Sequence, residues 1–211
     1  MTETGVARGL VLAGIFAALA GIVDAIGFLH LKGLFVSFMS GNSTQFAAAL
    51  GQGNSAEGGA IGELIAFFVL GAASGQVIAG CTGRWHMAWV LVGVAILLAI
   101  AAVLAGTAAP MVIAMGGLNA AMHRAGNIPV SLTFVTGVLV RFGQGLGDFL
   151  IRRVAGWSWV GQASPWVGMI IGATIGSVAY TRVGEAAIWI PVSLAGLLAI
   201  YSMVVPEVDR Q

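Results

Sequence analysis

An aspartate, Asp24, lies towards the end of an apolar run from Leu10 to Leu29, directly after Ala20-Gly21-Ile22-Val23. A carboxyl group at such depth is costly to hold and is a functional hypothesis by default. It would bind a cation, carry a proton or pair with a basic residue; the structural alternative is a partner for a helix start or a buried amide. A denser polar group follows at Ser37 and at Ser40-Gly41-Asn42-Ser43-Thr44. There Gly41 permits a tight bend, and Asn42 or Ser43 can cap a half-helix running through Gln45 to Leu50. Free N–H groups at that helix start would favour an anionic or strongly accepting ligand group. The preceding Phe35-Val36-Ser37-Phe38 is β-prone and is expected to be extended.

The pattern recurs. Shifted by 96 positions (38 to 134, 41 to 137, 46 to 142, 51 to 147), Phe38, Gly41, Phe46 and Gly51 fall on Phe134, Gly137, Phe142 and Gly147. Thr133, Thr136 and Gly137 would then play the part of the first polar group, and Asn119 stands one residue away from the counterpart of Asp24. Arg141, Gln144 and Asp148 follow at spacings of three and four, which puts them on one helix face. They would line the cytoplasmic end of a pathway or form a salt bridge at its mouth. Serine and threonine in membrane helices also bond their own backbone, which is the structural alternative for these hydroxyls. His30, His86 and His123 are scattered, with no HxxxH spacing, so no metal site is expected, nor any cofactor.

The elements that must position these residues are membrane spans. Hydrophobic residues make up 59% of 211 positions, charged ones 8%, and mean hydropathy is +0.99. A soluble domain carries about 25% charged residues, so this chain cannot coat itself for water. A net charge of +1 gives no basic field for nucleic acid, and Cys81, the single cysteine, excludes an internal disulfide. Six runs approach the ~20 residues a spanning helix needs: about 10–29, 61–80, 86–106, 109–124, 164–182 and 186–205. Breaks lie between them at 33–51 and 128–150. Glu63 and Glu185 are expected to open helices at the interface, and six tryptophans cluster near predicted helix ends.

Each break is either re-entrant or a further crossing. With re-entrant breaks and an inner N-terminus, Arg8, Arg84, Arg124, Arg152, Arg153 and Arg210 lie inside and Lys32 and Arg182 outside. With fully spanning breaks the division is four against four. The positive-inside rule selects six spans with both termini cytoplasmic. Three spans per half is odd, so the second half must insert upside down. The expected fold is thus all-α and a single membrane domain, 1–211. It forms a 3+3 inverted repeat, halves 1–106 and 107–211, each half with a broken or re-entrant segment. Gly71-Ala72-Ala73-Ser74-Gly75 matches Gly172-Ala173-Thr174-Ile175-Gly176, and both are small-xxx-small patterns suited to close helix crossing.

Val23-Asp24-Ala25-Ile26-Gly27-Phe28-Leu29, followed by Phe35-Val36-Ser37-Phe38-Met39-Ser40-Gly41-Asn42, resembles the YoaK-like membrane proteins, a bacterial family named for a domain of unknown function. Gly117-Leu118-Asn119-Ala120 and Val135-Thr136-Gly137 are similar too. Ser40 departs from the threonine typical there but keeps the hydroxyl. The resemblance covers essentially the whole chain and implies a six-helix bacterial inner-membrane protein without assigning an activity.

Paired broken segments point to a secondary transporter or facilitator of a small polar or anionic solute, bound at the midplane where the two breaks meet. One alternative is a channel. Another is a substrate-binding subunit docking to a partner ATPase module, through a face such as Ala13, Ala17 and Gly21. An enzyme is not expected, because no histidine lies mid-span and the chain offers Asp24 few partners at depth. The expected partners are the lipid bilayer, the solute and, through glycine-rich faces, a second copy of the chain.

Overall fold

The computed structural model describes residues 3–124, 135–151 and 160–205. Hydrocarbon offers no water to backbone N–H and C=O groups, so a chain of this composition satisfies them within helices. The described residues contain no strand. The helices are α1 (Glu3–His30), α2 (Met39–Gly51), α3 (Ser55–Thr82), α4 (His86–Val103), α5 (Ala108–Arg124), α6 (Val135–Leu150), α7 (Ser164–Val183) and α8 (Trp189–Val204). Each of the six expected spans coincides with a helix, α1, α3, α4, α5, α7 or α8, and the breaks contain α2 and α6. At 1.5 Å per residue α1 is about 42 Å long and α2 only about 20 Å, less than the ~30 Å hydrocarbon thickness.

Helix α3 begins earlier than expected. Asn54 caps it, accepting from the Glu57 N–H at 3.3 Å and donating to the Glu57 carboxylate at 2.7 Å. Glu63 is therefore an exposed residue well inside α3, not at its start. Helix α3 turns back into α4 at Gly83 (φ 53°, ψ −130°) and α7 into α8 at Gly184 (φ 61°, ψ −138°). Both torsion pairs lie in a region open to glycine and strained for any other residue.

Two interfaces bring backbones into contact. In the α1–α7 pair the Ala18 and Ile22 carbonyls lie against Gly172 and Gly176. In the α3–α5 pair the Ile113 and Gly117 carbonyls lie against Gly71 and Gly75. Chain positions step by 95 on one side (18 to 113, 22 to 117) and by 101 on the other (71 to 172, 75 to 176). The same steps carry Gly21 against Met169 and Ala173 onto Gly116 against Phe68 and Ala72. Residue numbers rise together across each interface, so both pairs are parallel. A side chain at these glycines would collide with backbone, which cannot yield. The glycine faces expected to serve a second copy are thus used within the chain, as are Ala13, Ala17 and Gly21, the face expected for a partner module.

The apolar core joins the pairs: Leu19, Val23 and Ile26 of α1 cluster with Leu91 and Leu98 of α4, Met111, Met115 and Leu118 of α5, and Leu198 of α8. At one end of the bundle the His30 ring lies against Gly106, which follows α4, and its Nδ1 is 3.1 Å from the Tyr180 hydroxyl and 3.8 Å from Glu185. The C-terminal ends of α1, α4 and α7 therefore share one end of the bundle. Glu185 lies in the first turn of the short 3-10 helix Gly184–Ile188, as expected, and also approaches His30.

Candidate functional site

Asp24 is buried one and a half turns before the end of α1. Its Oδ1 accepts from the N–H groups of Val36 at 2.9 Å and Ser37 at 2.7 Å, and its Oδ2 accepts from the Ser37 hydroxyl. One carboxyl group thus pins the non-helical segment that returns from α1 towards α2. Asn42 pins it from the other side, accepting from the Phe35 N–H at 3.0 Å and donating to the Phe35 carbonyl at 2.7 Å. Gln45 donates to the Gly33 carbonyl at 3.1 Å. Residues 31–38 have few backbone partners of their own, and these three side chains supply them, as buried backbone requires.

This changes the expected role of two residues. Asn42 was expected, with Ser43, as a helix cap, but α2 starts earlier, after Phe38, with no side-chain cap, and Asn42 reaches back to Phe35 instead. Gly41 does not make the bend. It lies in the first turn of α2, where a Cβ would come within 2.8 Å of the Phe38 ring and 3.2 Å of the Phe35 ring. Its lack of a side chain lets those two rings, 5.3 Å apart and nearly perpendicular, pack over the helix start.

Of the other expected site residues, Ser37 is buried with Asp24, while Ser40, Ser43 and Thr44 are exposed on α2. Ser43 and Thr44 donate to the Met39 and Ser40 carbonyls of their own helix. Asn119 is buried on α5, and its amide donates to the Met115 carbonyl at 2.9 Å. By the step of 95 it is the position equivalent to Asp24, not a near neighbour of it. Thr136, Arg141 and Gln144 are exposed on α6, and Gly137 and Asp148 are partly covered. Neither Arg141 nor Asp148 has an ion-pair partner among the described residues. Thr133 lies outside the described residues.

An open groove of about 610 Å³ lies beside Asp24, between α1 and α7. Phe28, Phe35, Met169, Thr174 and Ser177 contribute to its wall. The rings of Phe28 and Phe35 are 5.0 Å apart. Thr174, expected only within a close-crossing pattern, and Ser177 were not among the expected site residues; the one available signal was two hydroxyls three residues apart in an apolar span. Helix α2 packs on α3 and α6 on α7, and among the described residues α2 and α6 form no substantial interface with each other. Among the described residues no group of three or more His, Cys, Asp or Glu could hold a metal ion.

These features define a multi-pass α-helical membrane protein with a side-chain-clamped break in its first half. The chain matches the model of the family described as "Protein of unknown function (DUF1275)" over residues 12–201 and belongs to that family. It is also 41% identical over 194 residues to the UPF0700 transmembrane protein RA0705 of Rhizobium meliloti (strain 1021), a match covering 90% of this chain and 84% of the relative. The resemblance to YoaK-like proteins of unknown function agrees with both findings. No solved structure matches.

Proposed function

We propose that the protein is a secondary transporter or facilitator of a small polar solute in the bacterial inner membrane, non-catalytic, with six spans and both termini cytoplasmic. The observation that carries the reading is the repetition of one backbone-contact interface, α1 on α7 and α3 on α5, by constant chain steps. That repetition supports a 3+3 inverted repeat with halves 1–106 and 107–211. The shared end of α1, α4 and α7 supports it too. A chain that leaves α1 at that end and returns to it after α3 and α4 needs α2 to turn back rather than cross. Because α5 runs parallel to α3 and α7 parallel to α1, α5 ends and α7 begins at the opposite end, which needs α6 to turn back there.

The moving bodies in this reading are not the two sequence halves. Each tight pair takes one helix from each half, and glycine-to-carbonyl contacts bind it. The α1–α7 pair would rock against the α3–α5 pair, in the manner of alternating access. A solute reaching the groove meets the carboxyl of Asp24, which disfavours the anionic option and favours a neutral or cationic solute. A partner ATPase module would need a face other than Ala13, Ala17 and Gly21, and a homodimer one other than the paired glycines.

The test is flux in proteoliposomes, measured by counterflow with neutral, cationic and anionic solutes of fewer than about ten heavy atoms. Saturable flux for one class, lost in Asp24→Asn, is the expected result. Leak equal to that of empty liposomes for every class would remove the reading.

A further inference from the structure

We infer that the groove between α1 and α7 is a binding site for a small alkylammonium ion, with Asp24 as its counter-charge. The inference rests on the transport reading only for its physiological meaning, since the bound ion would be the solute.

Among the described residues Asp24 has no ion-pair partner, although it is buried in a span. The Val36 and Ser37 N–H groups converge on Oδ1 and the Ser37 hydroxyl on Oδ2, and the Phe38 backbone adds a further donor beside the carboxyl. An arrangement of donors alone suits the ionised group, and an ionised group at that depth needs a compensating positive charge. No lysine or arginine lines the groove.

The wall then selects the kind of cation. Among the described residues Ser177 has no hydrogen-bond partner. Thr174 gives its proton to the Ile170 carbonyl at 2.8 Å, which leaves its oxygen as an acceptor. An ammonium group, with up to three donors and no acceptor, is the complement of that set. The remainder of the wall is Phe28, Phe35, Met169 and aliphatic carbon, suited to alkyl groups and to cation–π contact with the rings. A bare metal ion would find too few oxygens, and an anion would meet Asp24. The volume lies within the ordinary range of small-ligand pockets, about 300–1,000 Å³. The equivalent steps on α5 and α3 lead to Asn119 and Gln76, so the charge is confined to one groove.

The experiment uses the full-length protein in detergent, with thermal unfolding followed against n-butylammonium chloride. Sodium chloride at equal ionic strength, sodium valerate and 1-pentanol serve as charge controls. Asp24→Asn retains an amide oxygen able to accept from the Val36 and Ser37 N–H groups. Ser177→Phe fills the groove without touching the clamp. The wild-type midpoint should rise by about 2 °C or more at saturating n-butylammonium, a shift absent from both variants and from all three controls. A shift kept in Asp24→Asn, an equal shift with pentanol or valerate, or no shift at all would overturn the site. Binding at Asp24 without flux for any solute would instead sink the transport reading and leave the site standing. Flux of a neutral or anionic solute without ammonium binding would sink the site alone.

Discussion

Asp24 holds Ser37 twice, by its backbone N–H at 2.7 Å and by its hydroxyl, in a stretch of chain that Asn42 and Gln45 pin from the other side. The clamp links a membrane helix to an irregular segment, so the stability of one depends on the other. Ser37→Ala removes a hydrogen bond to a buried carboxyl and should cost about 1.5–3 kcal/mol. Asp24→Leu should cost more, because two N–H groups and a hydroxyl lose their acceptor together. In a double-mutant cycle read by thermal unfolding, the pair should couple by at least ~1 kcal/mol. Additive losses would show that the two residues act independently.

The glycine interfaces predict matched sensitivity at distant positions. Gly71→Val and Gly172→Val each push a side chain into a facing carbonyl, of Ile113 and Ala18 respectively, and each should destabilise by at least ~3 kcal/mol. Gly93 and Gly196 have open space around an added Cβ. Alanine there should be neutral or stabilising by up to about 1 kcal/mol, through a better helix former. Midpoints measured on the four variants check the ranking, and a tolerated Gly172→Val would contradict the close contact.

Much of this architecture was legible in the sequence, for physical reasons that also mark where legibility stops. The long apolar helices follow from length and hydropathy, because lipid leaves the backbone no alternative. The small-residue runs at Gly71 and Gly172 marked both close interfaces, since only a missing side chain permits such approach. The start of α3 was also readable, from the Asn54-Ser55-Ala56-Glu57 capping pattern, but the polarity of 52–57 drew the expected boundary inward. The start of α2 was not. Phe38 carries no capping side chain, and Asn42 bonds to Phe35 through a loop whose path is fixed by Asp24 on another helix. His30 and Tyr180 are 150 residues apart and could not be joined by any local pattern.

Gly41 and Asn42 predict separable effects on the break. Gly41→Val should displace the Phe38 and Phe35 rings and lower stability by about 1–3 kcal/mol through overpacking. Asn42→Ala should leave the Phe35 N–H and carbonyl unsatisfied, at a similar cost, but should loosen residues 35–37 while α2 stays helical. Hydrogen exchange resolves the two. Faster exchange confined to 35–37 is expected for Asn42→Ala, and unchanged exchange there would show that the amide is not a clamp.

The contact of His30 with Tyr180 and Glu185 predicts a modest lock on the end of the bundle. Tyr180→Phe should cost about 1 kcal/mol, the net value of one hydrogen bond. Glu185→Gln should cost less, because the pair is 3.8 Å apart, Glu185 is partly exposed to solvent screening, and the contact is an ion pair only when His30 is protonated. Thermal unfolding at low and high salt separates them, since only the ion-pair contribution should fade with salt.

The topology itself can be tested at Lys32, Ala105 and Arg84. Lys32 follows α1 and Ala105 follows α4, and the His30 contacts with Gly106, Tyr180 and Glu185 draw these ends together. Arg84 lies at the turn between α3 and α4, one helix length away. In a Cys81→Ala background, cysteines placed singly at 32 and 105 should react with an impermeant maleimide added to intact cells. One at 84 should react only after the cells are opened. If α2 crossed the bilayer, positions 32 and 84 would label together from outside and 105 only from inside. That pattern would exclude a re-entrant α2 and, with it, the inverted arrangement of the halves, because four crossings per half would leave the two in the same orientation.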